Sequence, residues 1–159
     1  MSIPTWAESL MAISSSIPTN RNCTIETTND CSSHVLVNPK VHMYSGYNLS
    51  PLEPTVGPSK RDVSTFTKTA GKARGAVAVM FSVPFDYNLF SNWFAVGIFN
   101  NCKLCDEALY GEMYNSVERR FVRGEGDGSS ITYKGDHVTI KASMSCGSRA
   151  VMKVEVCDS

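Results

Sequence analysis

Apolar and polar residues alternate along this chain with two different periods, and the first is helical. Trp6, Leu10, Ile13 and Ile17 share one face of a helix predicted over Ile3 to Ile17, while Glu8, Ser9 and Ser16 lie elsewhere. Pro4 suits a first helical turn and Pro18 ends the pattern. Pro4 to Ile17 reaches about 21 Å at about 1.5 Å per residue, short of a hydrocarbon core near 30 Å. The period then drops to two. Thr24 to Thr28 alternates and is β-branched, as a half-buried strand should be. Val35 to Val37 and Val41 to Tyr44 are further strands flanking Asn38-Pro39, and Ser45-Gly46 closes the second as a turn. Pro51, Pro54, Gly57 and Pro58 make Tyr47 to Lys60 a surface loop. Val63 to Thr69 alternates again. Ala76 to Pro84 is a continuous apolar run, predicted to be a central buried strand, and Trp93 to Phe99 is like it.

Asp106 to Tyr114 begins with acid and sets Ala108, Leu109, Met113 and Tyr114 at helical intervals, although Gly111 costs about 1 kcal/mol there. Gly124 to Gly128 is a flexible turn. Ile131 to Tyr133, His137 to Ala142 and Ala150 to Val156 complete the chain as strands between turns at Lys134-Gly135-Asp136 and Cys146-Gly147-Ser148. Many short strands with turn signals between them specify a mainly β protein, a sandwich or barrel with short flanking helices. Residues 1–22 form a short amphipathic segment and 23–159 one sandwich domain.

Composition narrows the function classes. The chain has 159 residues, 42% hydrophobic and 19% charged, which suits one globular domain with a real core. Its 15 basic and 15 acidic residues cancel, so the basic excess of a nucleic-acid binder is absent. No apolar run approaches the length of a membrane-spanning helix, which implies a chain made water-soluble. Met1 to Ser16 lacks a positive n-region, and Glu8 and Ser9 interrupt its apolar stretch, so no secretion leader is read there. Reduced cytosolic thiols are then the default for the 6 cysteines. The sequons Asn22-Cys23-Thr24 and Asn48-Leu49-Ser50 matter only in a secretory path, and the compartment stays open.

Reactive chemistry is scarce. Cys102-Lys103-Leu104-Cys105 has the spacing of half a zinc site, but Cys146 and Cys157 form no second close pair. His34, His42 and His137 stand apart from any acid or nucleophile at a meaningful spacing. Nothing reads as a nucleophile elbow, a phosphate-binding glycine loop or a carboxylate pair. The expectation is therefore no enzyme, no catalytic residue, no cofactor and no metal site.

One stretch is specific. Val79-Met80-Phe81-Ser82-Val83-Pro84-Phe85-Asp86-Tyr87-Asn88, followed by Ser91-Asn92-Trp93-Phe94, resembles the central signature of the actinoporins, sea-anemone cytolysins with relatives in fish and other animals. Tyr44-Ser45-Gly46 and Leu109-Tyr110-Gly111-Glu112-Met113-Tyr114 are similar to two flanking family features, and Ala150 to Val156 is most like the fish actinoporin-like proteins. The resemblance covers roughly Cys23 to Asp158. It implies an actinoporin-like β-sandwich flanked by two helices, which recognises phosphocholine lipids such as sphingomyelin at a membrane surface. It further implies insertion of the N-terminal helix, with Trp6, Leu10 and Ile13, and homo-oligomerisation into cation-conducting pores.

By the same resemblance the head-group pocket comprises Ser45, Val77, Ser82, Pro84, Phe90, Tyr110 and Tyr114, and Leu89, Trp93 and Asn115 border the membrane interface. Phe81 and Trp93 are also read as packing in the sandwich. The chemistry is apt, because a quaternary ammonium donates no hydrogen bond and favours aromatic faces, while a phosphate seeks hydroxyls. A secreted, soluble form that attaches to a target membrane follows from the resemblance. The alternative is a non-lytic, lectin-like carbohydrate-binding module.

Three departures stand out. Leu89-Phe90 replaces a Trp-Tyr pair, and Asn115 stands where a further tyrosine is common. Gly75-Ala76-Val77-Ala78-Val79 runs straight into Met80, as if one family hairpin were missing. Arg123-Gly124-Glu125 occupies the place of an Arg-Gly-Asp tripeptide.

Overall fold

A computed structural model of the chain describes residues 7–50, 53–63, 75–100, 103–117 and 120–159. Its elements are α1 (Glu8–Ser16), β1 (Asn22–Asn29), β2 (Leu36–Val37), β3 (Thr55–Val56), β4 (Lys60–Val63), β5 (Ala76–Ser82), β6 (Trp93–Phe99), α2 (Glu107–Asn115), β7 (Phe121–Glu125), β8 (Ser130–Lys134), β9 (Val138–Met144) and β10 (Arg149–Asp158). A five-stranded sheet runs β4-β1-β10-β9-β8 and a three-stranded sheet runs β5-β6-β7, with β2 and β3 paired apart. The first and last long strands lie side by side in parallel, Asn22 opposite Arg149 and Asn29 opposite Val156. The other ladders of both sheets are antiparallel. The mainly β sandwich with two short helices is the fold that the alternating pattern specifies.

The two sheets face each other across one apolar core. Ile25 of β1, Ile140, Ala142 and Met144 of β9, and Ala150, Met152 and Val154 of β10 meet Phe94 and Val96 of β6. Each large side chain buried there contributes about 1.5–3 kcal/mol. Helix α2 covers the other face of the three-stranded sheet, where Met113 packs with Met80, Ala95, Phe99 and Phe121. Asp106 caps α2 by accepting from the Leu109 amide at 3.0 Å. At its other end the Arg123 guanidinium donates to the carbonyl oxygens of Met113 and Ser116, at 3.1 and 2.9 Å. A cation on the last carbonyls is favoured by the helix dipole.

Several sequence expectations are corrected. The run from Ala76 to Pro84 is an outer strand of its sheet among the described residues, and Trp93–Phe99 is the central one. An apolar run marks burial on both faces but not sheet order; here α2 and the opposing sheet supply the cover. Val41 to Tyr44 forms no strand, whereas Thr55–Val56, inside the predicted loop, pairs with Leu36–Val37. Gly124 and Glu125 belong to β7 rather than to a turn. Of the predicted strand Val63 to Thr69, only Val63 lies within the described residues, as the end of β4.

Helix α1 docks on β10 through Ala7, Leu10 and Val151, with Ser14 buried beside Asn22, whose side-chain amide donates to the Ser14 carbonyl at 3.2 Å. Leu10 is thus a core residue while Ile13 stays exposed, so the buried stripe is rotated away from the one that Leu10, Ile13 and Ile17 define; Trp6 lies outside the described residues. Small Ala7 and Ser14 allow close approach to the sheet where a larger apolar residue would not fit.

Two glycines have opposite consequences. A Cβ at Gly97 would stand 2.3 Å from the Arg120 carbonyl oxygen and 2.9 Å from Phe121 Cα, both backbone atoms of the paired strand region, whereas a Cβ on Gly111 meets nothing within 4 Å. Gly97→Ala is expected to lose about 2 kcal/mol or more in urea unfolding, and Gly111→Ala to gain about 0.5–1 kcal/mol. Equal midpoints for the two variants would contradict this packing.

Candidate head-group site at the rim of the three-stranded sheet

Strand alternation sorts the site. Val77, Val79 and Phe81 pack toward the sandwich core, while Ala78 and Met80 pack toward α2. Ser82 continues the second set and shares a hydrogen bond with Tyr110 of α2. Trp93, the register partner of Ser82, stands half-buried on the same face. On α2, Tyr110 and Tyr114 are four residues apart and therefore neighbours on one side of the helix. Their rings stack at 5.8 Å between centroids with planes 10° apart. Tyr44 continues the row, 5.9 Å from Tyr110 and 16° from parallel. The result is a three-ring row whose outer member, Tyr44, is 73% exposed. Burial is the main cause that pushes the Tyr110 phenol above its ordinary pKa; Ser82 opposes the rise, and Tyr114 and Tyr44 add to it.

The loop from Val83 to Asn92 joins this row to a second surface. Its polar residues hold it from beneath. Asp86 accepts from the Asn88 amide at 2.8 Å, and the Phe90 amide closes on the Asp86 carbonyl at 3.0 Å. The Tyr87 hydroxyl donates to Asn92 Oδ1 at 2.8 Å, and the buried Asn92 donates through Nδ2 to the carbonyls of Ser145 and Gly147, both at 2.9 Å. With Asn92 buried beneath the loop, its large apolar side chains face out: Phe85 is 84% exposed, Leu89 74% and Phe90 54%. A cluster of large exposed hydrophobics on a rigid loop is the mark of an interaction surface. Arg21 secures its edge, donating to the Phe85 carbonyl at 3.2 Å with its guanidinium 4.7 Å from the Phe85 ring centroid.

The structure therefore gathers Ser82, Trp93, Tyr110 and Tyr114 on one face, with Pro84, Leu89 and Phe90 on the adjoining loop. Ser45 is exposed next to Tyr44, and Asn115 is exposed as the last residue of α2. Val77 stands apart, its side chain packed on the sandwich core and separated from the tyrosines by its own sheet. Leu10 and Ile13 belong to α1, which packs on β10 of the five-stranded sheet. The sequence expectation names neither Tyr44 as a third ring nor Phe85 as an exposed one. The signal for Phe85 was its neighbours: Pro84 before it and an Asp86-to-Asn88 turn after it end the strand, releasing the ring from the sheet's alternation.

Comparison with known proteins agrees with this architecture. The family model described as sea anemone cytotoxic protein matches residues 26–158. DELTA-alicitoxin-Pse1b of Phyllodiscus semoni is 47% identical over 72 residues, covering 36% of this chain and 32% of the toxin. DELTA-stichotoxin-Hcr4a of Radianthus crispa is 36% identical over 81 residues, covering 50% and 43%. The deep-sea actinoporin Cjtox I of Cribrinopsis japonica is 33% identical over 87 residues, covering 46% and 40%. The chain thus spans less than half the length of these curated relatives. With its signature loop, its sandwich and this match over most of its length, the chain belongs to the sea anemone cytotoxic protein family, the actinoporins.

Proposed function

We propose that this chain docks on phosphocholine-bearing membranes, sphingomyelin among their lipids, as the step that precedes assembly into an oligomeric, cation-conducting pore and cytolysis. One observation carries the reading: the stacked row Tyr44, Tyr110 and Tyr114 beside the outward-facing Phe85, Leu89 and Phe90. The end rings of the row, Tyr44 and Tyr114, offer faces to a trimethylammonium group, each worth about 0.5–2 kcal/mol according to desolvation. The hydroxyls of Tyr110, Tyr114, Ser82 and Ser45 are donors for the neighbouring phosphate. Leu89 and Phe90 enter the interfacial layer, where large amphipathic surfaces are favoured. No helix among the described residues is long and apolar enough to cross a membrane. Attachment at the surface therefore precedes any insertion, and α1 must first release Leu10 from Val151 to take part in a pore wall.

Flotation with sphingomyelin–phosphatidylcholine vesicles, paired with dye release from the same vesicles, tests both steps. Tyr110→Ala and Tyr114→Ala should each weaken partitioning by about 2- to 30-fold, with circular dichroism unchanged. Soluble phosphocholine should compete. Binding that is untouched in the double variant removes the tyrosine row from the site, and glycan binding without vesicle binding replaces the reading with a carbohydrate module. Binding without leakage confines the chain to docking.

The raised Tyr110 pKa keeps its phenol protonated at neutral pH. Docking should therefore be flat from about pH 6 to 9 and decline only above the ordinary tyrosine value near 10, where the donor to phosphate is lost. A decline centred near neutrality would exclude the phenol as that donor.

A further inference from the structure

At the opposite end of β1 from Arg21 and the docking loop, a second group of side chains converges. Asn29 is fully buried there; its Nδ2 donates to the carbonyls of His34 and Val56 at 2.8 and 2.9 Å, and its Oδ1 accepts from the Cys31 amide at 3.1 Å. Two of those bonds hold the turn Asp30 to His34 against the sheet, and the third ties β3 to the same point. The Ser32 amide donates to Asp158 Oδ2 at 2.8 Å, which brings the last residue of β10 to the same turn. Cys31 is only 2% exposed. Its Sγ, a ring nitrogen of His34 and a carboxylate oxygen of Asp158 all lie within 4.8 Å of one another. His34 Nδ1 is shielded from solvent and makes no hydrogen bond among the described residues, standing 3.4 Å from Asp158 Oδ1 at ion-pair distance.

We propose that Cys31, His34 and Asp158 form a binding site for one zinc-class divalent metal ion. A thiolate, an imidazole and a carboxylate are the ligand types that suit zinc, whereas calcium and magnesium take oxygen alone. Bonds of about 2.0–2.3 Å in a tetrahedron set ligand atoms roughly 3.3–3.8 Å apart. A closure of about 1 Å therefore completes the geometry, and the surface positions of His34 and Asp158 leave both an entry path and a fourth position for water. On binding, the Cys31 S–H bond gives its proton to solvent as the sulfur–metal bond forms.

Charge favours the ion. Burial first, and then Asp158, Cys157 and Asp30, push the Cys31 thiol up to about 11. Burial works against any charge there, whereas the nearby carboxylates of Asp158 and Asp30 attract a dication. Cys157 lies outside this group, its Sγ donating to the Thr139 carbonyl at 3.7 Å. The ion would fasten the turn after β1 to the end of β10, roughly 25 Å along the strand from the docking loop, so the site is independent of lipid recognition.

The probe is cobalt(II), titrated into the metal-free full-length chain and then displaced by zinc. One equivalent should raise a thiolate-to-cobalt charge-transfer band in the near ultraviolet. Cys31→Ser should abolish that band, and His34→Ala and Asp158→Asn should each weaken zinc by about ten-fold or more. His34→Ala replaces a partly exposed side chain, so it keeps the test decisive should Cys31→Ser fold poorly. The proposal is overturned if the wild-type chain shows no such band. It is equally overturned if His34→Ala binds zinc unchanged, or if the band survives Cys31→Ser and disappears in Cys105→Ser.

Discussion

The alternation of β5 and β6 is the constraint on which the rest of this molecule depends. A three-stranded sheet exposes two faces, and both are apolar here. One residue in two goes to the core shared with the five-stranded sheet, and the next goes to α2. A slip of one residue in this register would exchange the two sets, sending Ser82 into the sandwich and Val77 out to the helix. Gly97 fixes the neighbouring register because its lack of a Cβ lets the backbone at Arg120 and Phe121 come close. The partner strands thus decide which side chains can become a site.

The rim itself is an inversion of the usual burial pattern. Asn92 takes the inward position of the signature loop and holds the Tyr87 hydroxyl, while Phe85, Leu89 and Phe90 take the outward ones. Hydrogen bonds from Asn92 to Ser145 and Gly147 anchor that loop to the turn between β9 and β10, which belongs to the other sheet. Exposed rings on an unanchored loop would collapse onto the nearest apolar surface; a buried amide with both donors satisfied prevents that. Arg123 extends the same logic to α2. By holding the helix's last carbonyls it fixes where Tyr110 and Tyr114 stand, and it comes from the tripeptide that departs from Arg-Gly-Asp.

The proposed docking rim at one end of the sandwich and the proposed metal site at the other share this frame. The chain entering β1 braces the signature loop through Arg21, and the chain leaving β1 carries Cys31 and His34. Because β1 and β10 run parallel, both ends of the pair lie at opposite poles of the fold, and each pole receives residues from the two strands together.

Local sequence already carried the strands of β1, β8, β9 and β10 and the helix α2, since period-two alternation and an acidic cap are properties of neighbouring residues. The family resemblance pointed to the signature loop with Pro84 and Phe90, and to Ser82, Tyr110 and Tyr114, which the fold places along one rim. What it did not carry was decided by distant partners. The side of the sheet that Val77 faces, the burial of Leu10 without Ile13, the exposure of Phe85, the third ring at Tyr44, and the meeting of Cys31 and His34 with Asp158 all require elements far apart in the chain to pack. Periodicity fixes which residues share a face, but only tertiary contact determines what covers that face, because burial belongs to the pair of surfaces and not to either one alone.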